Sequence, residues 1–208
     1  MVRTSSQTSR AIRSMTAPRS ACALDAATAV RMEYKLRLAA LKDIPALNEL
    51  IARSIHGLGA ADYTQVQIEA ALQGAFGVDT GLIRDGTLFV AETHARDIVA
   101  CGGWGRRRTL FGSDARAERD ESWLDPKSDA AKIRAFFVDP GHARHGIGRA
   151  ILARSEAEAT RAGFSSFELM ATLPGVRLYQ KYGYVPGPAI DHPLPGGLTI
   201  RMVPMHKP

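Results

Sequence analysis

The feature that most restricts this chain is the run FFVDPGHARHGIGRAIL, Phe136 to Leu152. An apolar strand gives way to a short polar connection. A helix follows, with Ile147, Ile151 and Leu152 on one face. The helix opens at Gly146 and Gly148, and a glycine inside a helix costs about 1 kcal/mol relative to alanine. It also opens beside Arg144 and His145, where positive charge opposes the helix dipole. Both penalties are offset if an anion sits at the helix start. The first N–H groups of a helix have no internal partner, a missing Cβ lets an anion approach them, and neighbouring cations then become favourable. The segment reads as an anion-binding joint between strand and helix. The alternative is a bare turn with no ligand.

The flanking sequence supplies the rest of the fold. EYKLRLA (Glu33–Ala39) alternates Tyr34, Leu36 and Leu38 as a strand. KDIPALNELIARSIHGLG reads as a helix with Asp43 as its N-cap, Pro45 in the first turn and Gly57 as its stop. A second helix fits TQVQIEAALQGAF behind a Thr64 cap, and GLGAADY links the two. LFVAET and DIVACGGWG form a hairpin, in which Gly102 and Gly103 mark a bulge or a close backbone approach. SDARAERDESWLDPKSD is a polar loop, and KIRAFFV is a central apolar strand. Beyond the glycine joint the helix runs to about Ala162, with Gly163 as its stop. SSFELMA is a strand, PGVRLYQKY a short helix ending at Gly183, and YVPGPAI and LTIRMVPM are the last strands. Strands and helices in this order predict one mixed α/β sheet covered on both faces.

The net charge of +6 does not describe the folded part. Residues 1–32 hold five arginines against Asp25, which is +4 and leaves +2 for the remainder. A nucleic-acid-binding body is therefore not expected. No run approaches the roughly 18 apolar residues of a membrane span. Cys22 and Cys101 are the only cysteines, which suits a reducing cytoplasm. Residues 1–32 are rich in Arg, Ser, Thr and Ala. They read as a disordered extension before a domain at 33–208, or as an organelle-targeting segment.

Two familiar phosphate loops do not fit. The P-loop pattern is missing. The dinucleotide fingerprint finds Gly146 and Gly148, with Glu168 in place of the ribose acid, but Ile151 stands where a third small residue belongs. A seven-residue connection containing Pro140 also separates the strand from Gly146.

A third arrangement fits better. FFVDPGHARHGIGRAIL followed by ELMATLPGVRLYQKYGY resembles the GNAT superfamily of N-acetyltransferases. In that family an apolar strand ending in Val leads to Arg/Gln-x-x-Gly-x-Gly/Ala, then a helix, a strand and a helix closing on Tyr-x-x-x-Gly-Phe/Tyr. Here the loop is ARHGIG, Ala143 to Gly148, and the second pattern is YQKYGY, Tyr179 to Tyr184. Ala143 departs from the usual Arg/Gln, and Arg144 follows it. The resemblance spans residues 33–205 and implies a mixed, mostly antiparallel sheet of about seven strands with helices on both faces.

It also implies acetyl-CoA as co-substrate, with no metal. The backbone of Phe136, Phe137 and Val138 would pair with the pantetheine arm. Ala143, Arg144, His145, Gly146, Ile147, Gly148 and Arg149 would cradle the pyrophosphate. Tyr179 would give a proton to the departing thiolate, a task suited to a phenol with pKa near 10. A small-molecule or peptide amine would enter from the other side, with Asp62, Tyr63, Trp104 and Glu168 as candidate contacts. Glu168 is also the candidate base, or one half of a salt bridge, and Trp104 is equally a core aromatic. A homodimer is compatible with the resemblance, as is a non-catalytic acyl-CoA sensor or scaffold.

Overall fold

Four strands, β1 (Tyr34–Leu38), β2 (Leu88–Thr93), β3 (Ile98–Gly105) and β4 (Ala131–Val138), run antiparallel, each beside the next. In the computed structural model, which describes residues 34–115 and 119–208, β5 (Phe167–Thr172) then pairs parallel with β4. The extension expected at residues 1–32 lies outside the described residues. β8 (Thr199–Lys207) pairs antiparallel with β5, and the short β6 (Val185–Pro186) and β7 (Ile190–Pro193) pair with β8. The sheet is thus mixed and mostly antiparallel, with eight strands among the described residues. YVPGPAI, expected as one strand, is divided. Gly187 N–H bonds to the Pro204 carbonyl at 2.8 Å, and Pro188 has no N–H to continue the ladder.

Helices α1 (Ile44–Gly59), α2 (Gln65–Leu72) and α3 (Thr80–Arg84) cover one face, and α4 (Ile147–Arg161) and α5 (Val176–Lys181) the other. Leu47, Leu50, Ile51 and Ile68 pack on Val90, Ile98 and Met202. Ile147, Ile151, Leu152 and Phe164 pack on Phe89, Trp104, Ile133 and Leu169. The period of a strand is plain in β5, where Phe167, Leu169 and Ala171 are buried and Glu168, Met170 and Thr172 alternate with them. Among the described residues no helix is long and apolar enough to cross a membrane.

Several local expectations are corrected by tertiary contacts. Asp43 sits at the α1 N-cap position, but its carboxylate does not cap that helix. It accepts the Ala40 N–H at 2.8 Å and pairs with Arg37 at 2.7 Å, closing the turn before α1. Thr64 does cap α2 through a box with Gln67. That helix ends early, and the Phe76 N–H turns back to the Ala71 carbonyl. Helix α3 has no counterpart in the expected elements. Its N-cap Asp79, 1% exposed, also binds Arg134 at 2.7 Å and Arg119 at 2.8 Å.

Gly57 does not stop α1, which continues to Gly59. A Cβ at Gly57 would come within 2.3 Å of Pro140 Cγ, so this glycine lets the helix lie against the chain leaving β4. Gly57→Ala should therefore lower the melting temperature although alanine is the better helix former. Overpacking of a tight contact costs about 1–3 kcal/mol, more than the roughly 1 kcal/mol gained in helix propensity. A rise in thermal midpoint would show that Pro140 yields.

The bulge expected at Gly102 and Gly103 belongs to the partner strand. Cys101 faces Phe137 and Gly103 faces Arg134, so Ala135 and Phe136 together oppose Gly102. Ala135 adopts φ +56° to make the extra residue fit. The two glycines are the close approach. A Cβ on Gly103 would sit 2.3 Å from the Thr87 carbonyl oxygen, and one on Gly102 would sit 2.8 Å from Ile151. β4 and β5 pair only at Ala131 with Phe167 and Lys132 with Glu168. Beyond these positions the strands separate, and the site lies at their parting.

Candidate cofactor and catalytic site

β4 leaves the sheet at Asp139, whose carboxylate accepts the Gly141 N–H at 2.9 Å and binds Arg53 at 3.0 Å. The turn Pro140–His142 follows, closed by Ala143 N–H on the Pro140 carbonyl at 3.3 Å. From Arg144 to Arg149, six successive N–H groups donate to no acceptor among the described residues. The first helical N–H to find one is that of Ala150, on the Gly146 carbonyl at 3.0 Å. Arg144 (φ +68°) and Gly146 (φ +82°) are both left-handed, and this alternation turns neighbouring N–H groups toward a common point. For an arginine that conformation costs about 1–2 kcal/mol. A Cβ on Gly146 would meet nothing within 4 Å, so the cradle is open there.

The segment expected to hold the pyrophosphate divides into four kinds of residue. Residues Arg144, His145, Gly146 and Arg149 are exposed at the cradle, while Ile147 anchors α4 in the core at 1% exposure. Ala143 offers no donor, because its N–H is engaged within the preceding turn. The absent Cβ of Gly148 faces Leu178 Cδ2 at 3.4 Å and Val138 Cγ2 at 3.9 Å, so that glycine admits close helix packing and only its N–H belongs to the cradle.

In the parting of the strands, Phe137 is buried toward α1, edge-on to Phe76 at 6.2 Å. Phe136 points to the opposite face and meets Tyr179 at 6.1 Å. The Asp139 N–H bonds to Val99 on β3, so the Val138 N–H points the other way, into the space that β5 has left. There it donates to Ser54 Oγ at 3.1 Å. One of the three backbone positions expected to pair with a pantetheine arm is thus already engaged.

Tyr179, 7% exposed, is held edge-to-face between Phe136 and Tyr184, and its ring lies against Gly175. Its hydroxyl makes no hydrogen bond among the described residues, and burial pushes the phenol above its ordinary value near 10. The second motif has a structural reason of its own. The Tyr184 N–H returns to the Tyr179 carbonyl at 3.1 Å, which requires Gly183 at φ +89° to end α5.

The four acceptor-side candidates are not gathered into one wall. Asp62 is exposed on the turn between α1 and α2. Tyr63 beside it is 5% exposed, and its hydroxyl donates to the Arg201 carbonyl and accepts the Leu173 N–H, both at 2.8 Å. It is a strut that ties the turn to the end of β5 and to β8. Tyr63→Phe would leave two partly buried backbone groups without this partner and should destabilise by about 1 kcal/mol, read as a lower denaturation midpoint. An unchanged midpoint would mean that water replaces the hydroxyl. Trp104 packs edge-on to Phe164 at 5.9 Å under α4, on the opposite sheet face from Tyr63, and is a core residue. Glu168 forms an ion pair with Lys132 at the last β4–β5 register position. It lines, with Leu110, Pro204 and His206, a cavity of about 150 Å³.

A family profile described as an acetyltransferase (GNAT) domain matches residues 84–186. Solved structures with the same fold include a GCN5-related N-acetyltransferase from Rhodopseudomonas palustris. It has a TM-score of 0.61 and 18% identity over 84% of this chain and 94% of that one. The PaiA N-acetyltransferase from Thermoplasma acidophilum, solved with coenzyme A, gives a TM-score of 0.56 and 14% identity over 85% and 99%. The ribosomal-protein-S18-alanine N-acetyltransferase from Escherichia coli gives 0.53 and 16% over 85% and 94%. Comparison with curated proteins finds no match. The sheet order and the one parallel pair among the described residues give the fold that these acetyltransferase structures share. More particularly, residues 84–186 match the GNAT acetyltransferase domain, of a superfamily of N-acetyltransferases whose members move an acyl group from coenzyme A to an amine.

Proposed function

We propose that this protein transfers an acetyl group from acetyl-CoA to a primary amine by direct attack, with Tyr179 as the general acid. The observation that carries the reading is the open row of N–H groups from Arg144 to Arg149 at the start of a 15-residue helix. Such a row, flanked by Arg144 and Arg149, matches a pyrophosphate in charge and in hydrogen-bond sense. The arm of the cofactor would follow β4 toward the bulge at Ala135. The amine would attack the thioester carbon, forming the C–N bond as the C–S bond breaks. The Tyr179 O–H would supply the thiolate's proton, the amine's proton would leave to solvent, and the phenolate would take a proton back from solvent as the products depart.

Three features of Tyr179 support its part. It touches Phe136 in the strand beside the proposed arm, its hydroxyl has no partner among the described residues, and its raised pKa keeps it a donor at neutral pH. Burial that raises the phenol would also raise the proton affinity of a thiolate in the same place, so acid and leaving group stay matched. Asp62, exposed at the α1–α2 turn, is the acceptor-side candidate that remains free to meet an ammonium group. Cys101 is a buried free thiol, in keeping with a reducing cytoplasm.

The test is release of CoA thiol from acetyl-CoA across a panel of small amines and peptide N-termini. Acceptor-dependent release with at least one class is expected. Tight CoA binding without transfer to any acceptor would instead assign the chain to a sensor or scaffold role. Absence of CoA binding would overturn the reading altogether.

A further inference from the structure

We propose that Ser54 is a cofactor-binding residue whose hydroxyl, in place of the Val138 N–H, presents a hydrogen-bond donor to an amide carbonyl of the pantetheine arm. The proposal rests on the acetyl-CoA reading above. Ser54 lies on α1 and is 4% exposed. Its oxygen accepts the Val138 N–H at 3.1 Å in the space between β4 and β5. A serine that accepts one bond still carries its own proton, and this proton has no acceptor among the described residues. The contrast is Ser155 on α4, equally enclosed, whose hydroxyl donates to the Ile151 carbonyl at 2.9 Å one turn back. Leaving a buried donor unmade is unfavourable, and an incoming carbonyl would satisfy it.

The position is fixed from both sides. Arg53 binds Asp139 at 3.0 Å, and Gly57 lies against Pro140, so α1 cannot withdraw Ser54 without breaking two contacts. Val138 stands between the cradle and the bulge, and two strand residues, Phe136 and Phe137, lie between it and Ala135, a span of about 10 Å. Ser54 therefore meets the middle of an extended arm and not its reactive end. The arm carries amide groups there, and it is their carbonyl oxygens that would accept the Ser54 proton.

The experiment uses titration calorimetry on the full chain with two ligands, CoA and 3′,5′-ADP, the second lacking the arm. Ser54→Ala should raise the Kd for CoA about tenfold and leave that for 3′,5′-ADP within twofold. Ser54→Cys, which keeps the shape but donates weakly, should fall between wild type and alanine. Unchanged 3′,5′-ADP binding is the internal proof that each variant is folded. An alanine variant that binds CoA like wild type would sink the proposal and leave the acetyl-CoA reading intact. Equal loss of both ligands in both variants would also sink it, since Ser54 would then only support the fold. Wild-type protein that binds neither ligand would overturn the acetyl-CoA reading, and this proposal with it.

Discussion

Tyr179→Phe is expected to lower kcat by about 10²–10⁴-fold, the usual contribution of a positioned general acid, while CoA affinity and melting temperature stay near wild type. The structure sharpens the expectation. The ring is fixed by Phe136, Tyr184 and Gly175, contacts that phenylalanine keeps. The hydroxyl has no hydrogen bond among the described residues, so its removal breaks nothing in the unliganded fold. An interaction made only as the thiolate develops should appear in kcat and not in ground-state binding. The sign of the pKa shift adds a second readout. Because burial raises the phenol, its protonated form persists to higher pH, and the wild-type rate should show no loss of this acid up to about pH 10. A variant that keeps most of its kcat when chemistry is rate-limiting would reduce Tyr179 to a packed aromatic.

The second large effect is expected at Gly146. Its left-handed backbone excludes a valine on steric grounds alone, but asparagine and aspartate visit this region. Gly146→Asn and Gly146→Asp therefore differ in charge at nearly constant shape. Asparagine should weaken CoA binding about tenfold by placing side-chain atoms in the open cradle. Aspartate should weaken it at least a hundredfold, about 2.7 kcal/mol, by adding a carboxylate where the pyrophosphate would sit. The gap between the two should narrow as salt is raised. Equal CoA affinity in wild type and Gly146→Asp would mean that the joint is only a turn.

Much of this was legible because it is local. The alternation in β5, the apolar face of α4, the Thr64 cap and the glycine at 183 are set by residues within a turn or two of one another, where periodicity and capping chemistry act. The glycine joint is local in the same way, and the anion proposed for it rests on that local chemistry. Two glycines and two cations at a helix start are locally unfavourable, and that conflict pointed outward to an anion.

Apart from α3 and the break after Pro186, the order of elements, the glycine joint and the Tyr-x-x-x-Gly closure are thus properties of the sequence itself. What the tertiary structure decided are meetings between distant segments. Ser54 reaches Val138 across 84 residues, and Tyr63 reaches Leu173 and Arg201 across 110 and 138. Gly57 looks like a helix stop until Pro140 packs on it, and Trp104 reads equally as a pocket wall or a core aromatic until Phe164 covers it. Each side chain has the same propensity in either role. The difference lies in which surface arrives opposite it, and only the closed sheet, with β4 and β5 parting after Lys132 and Glu168, fixes that.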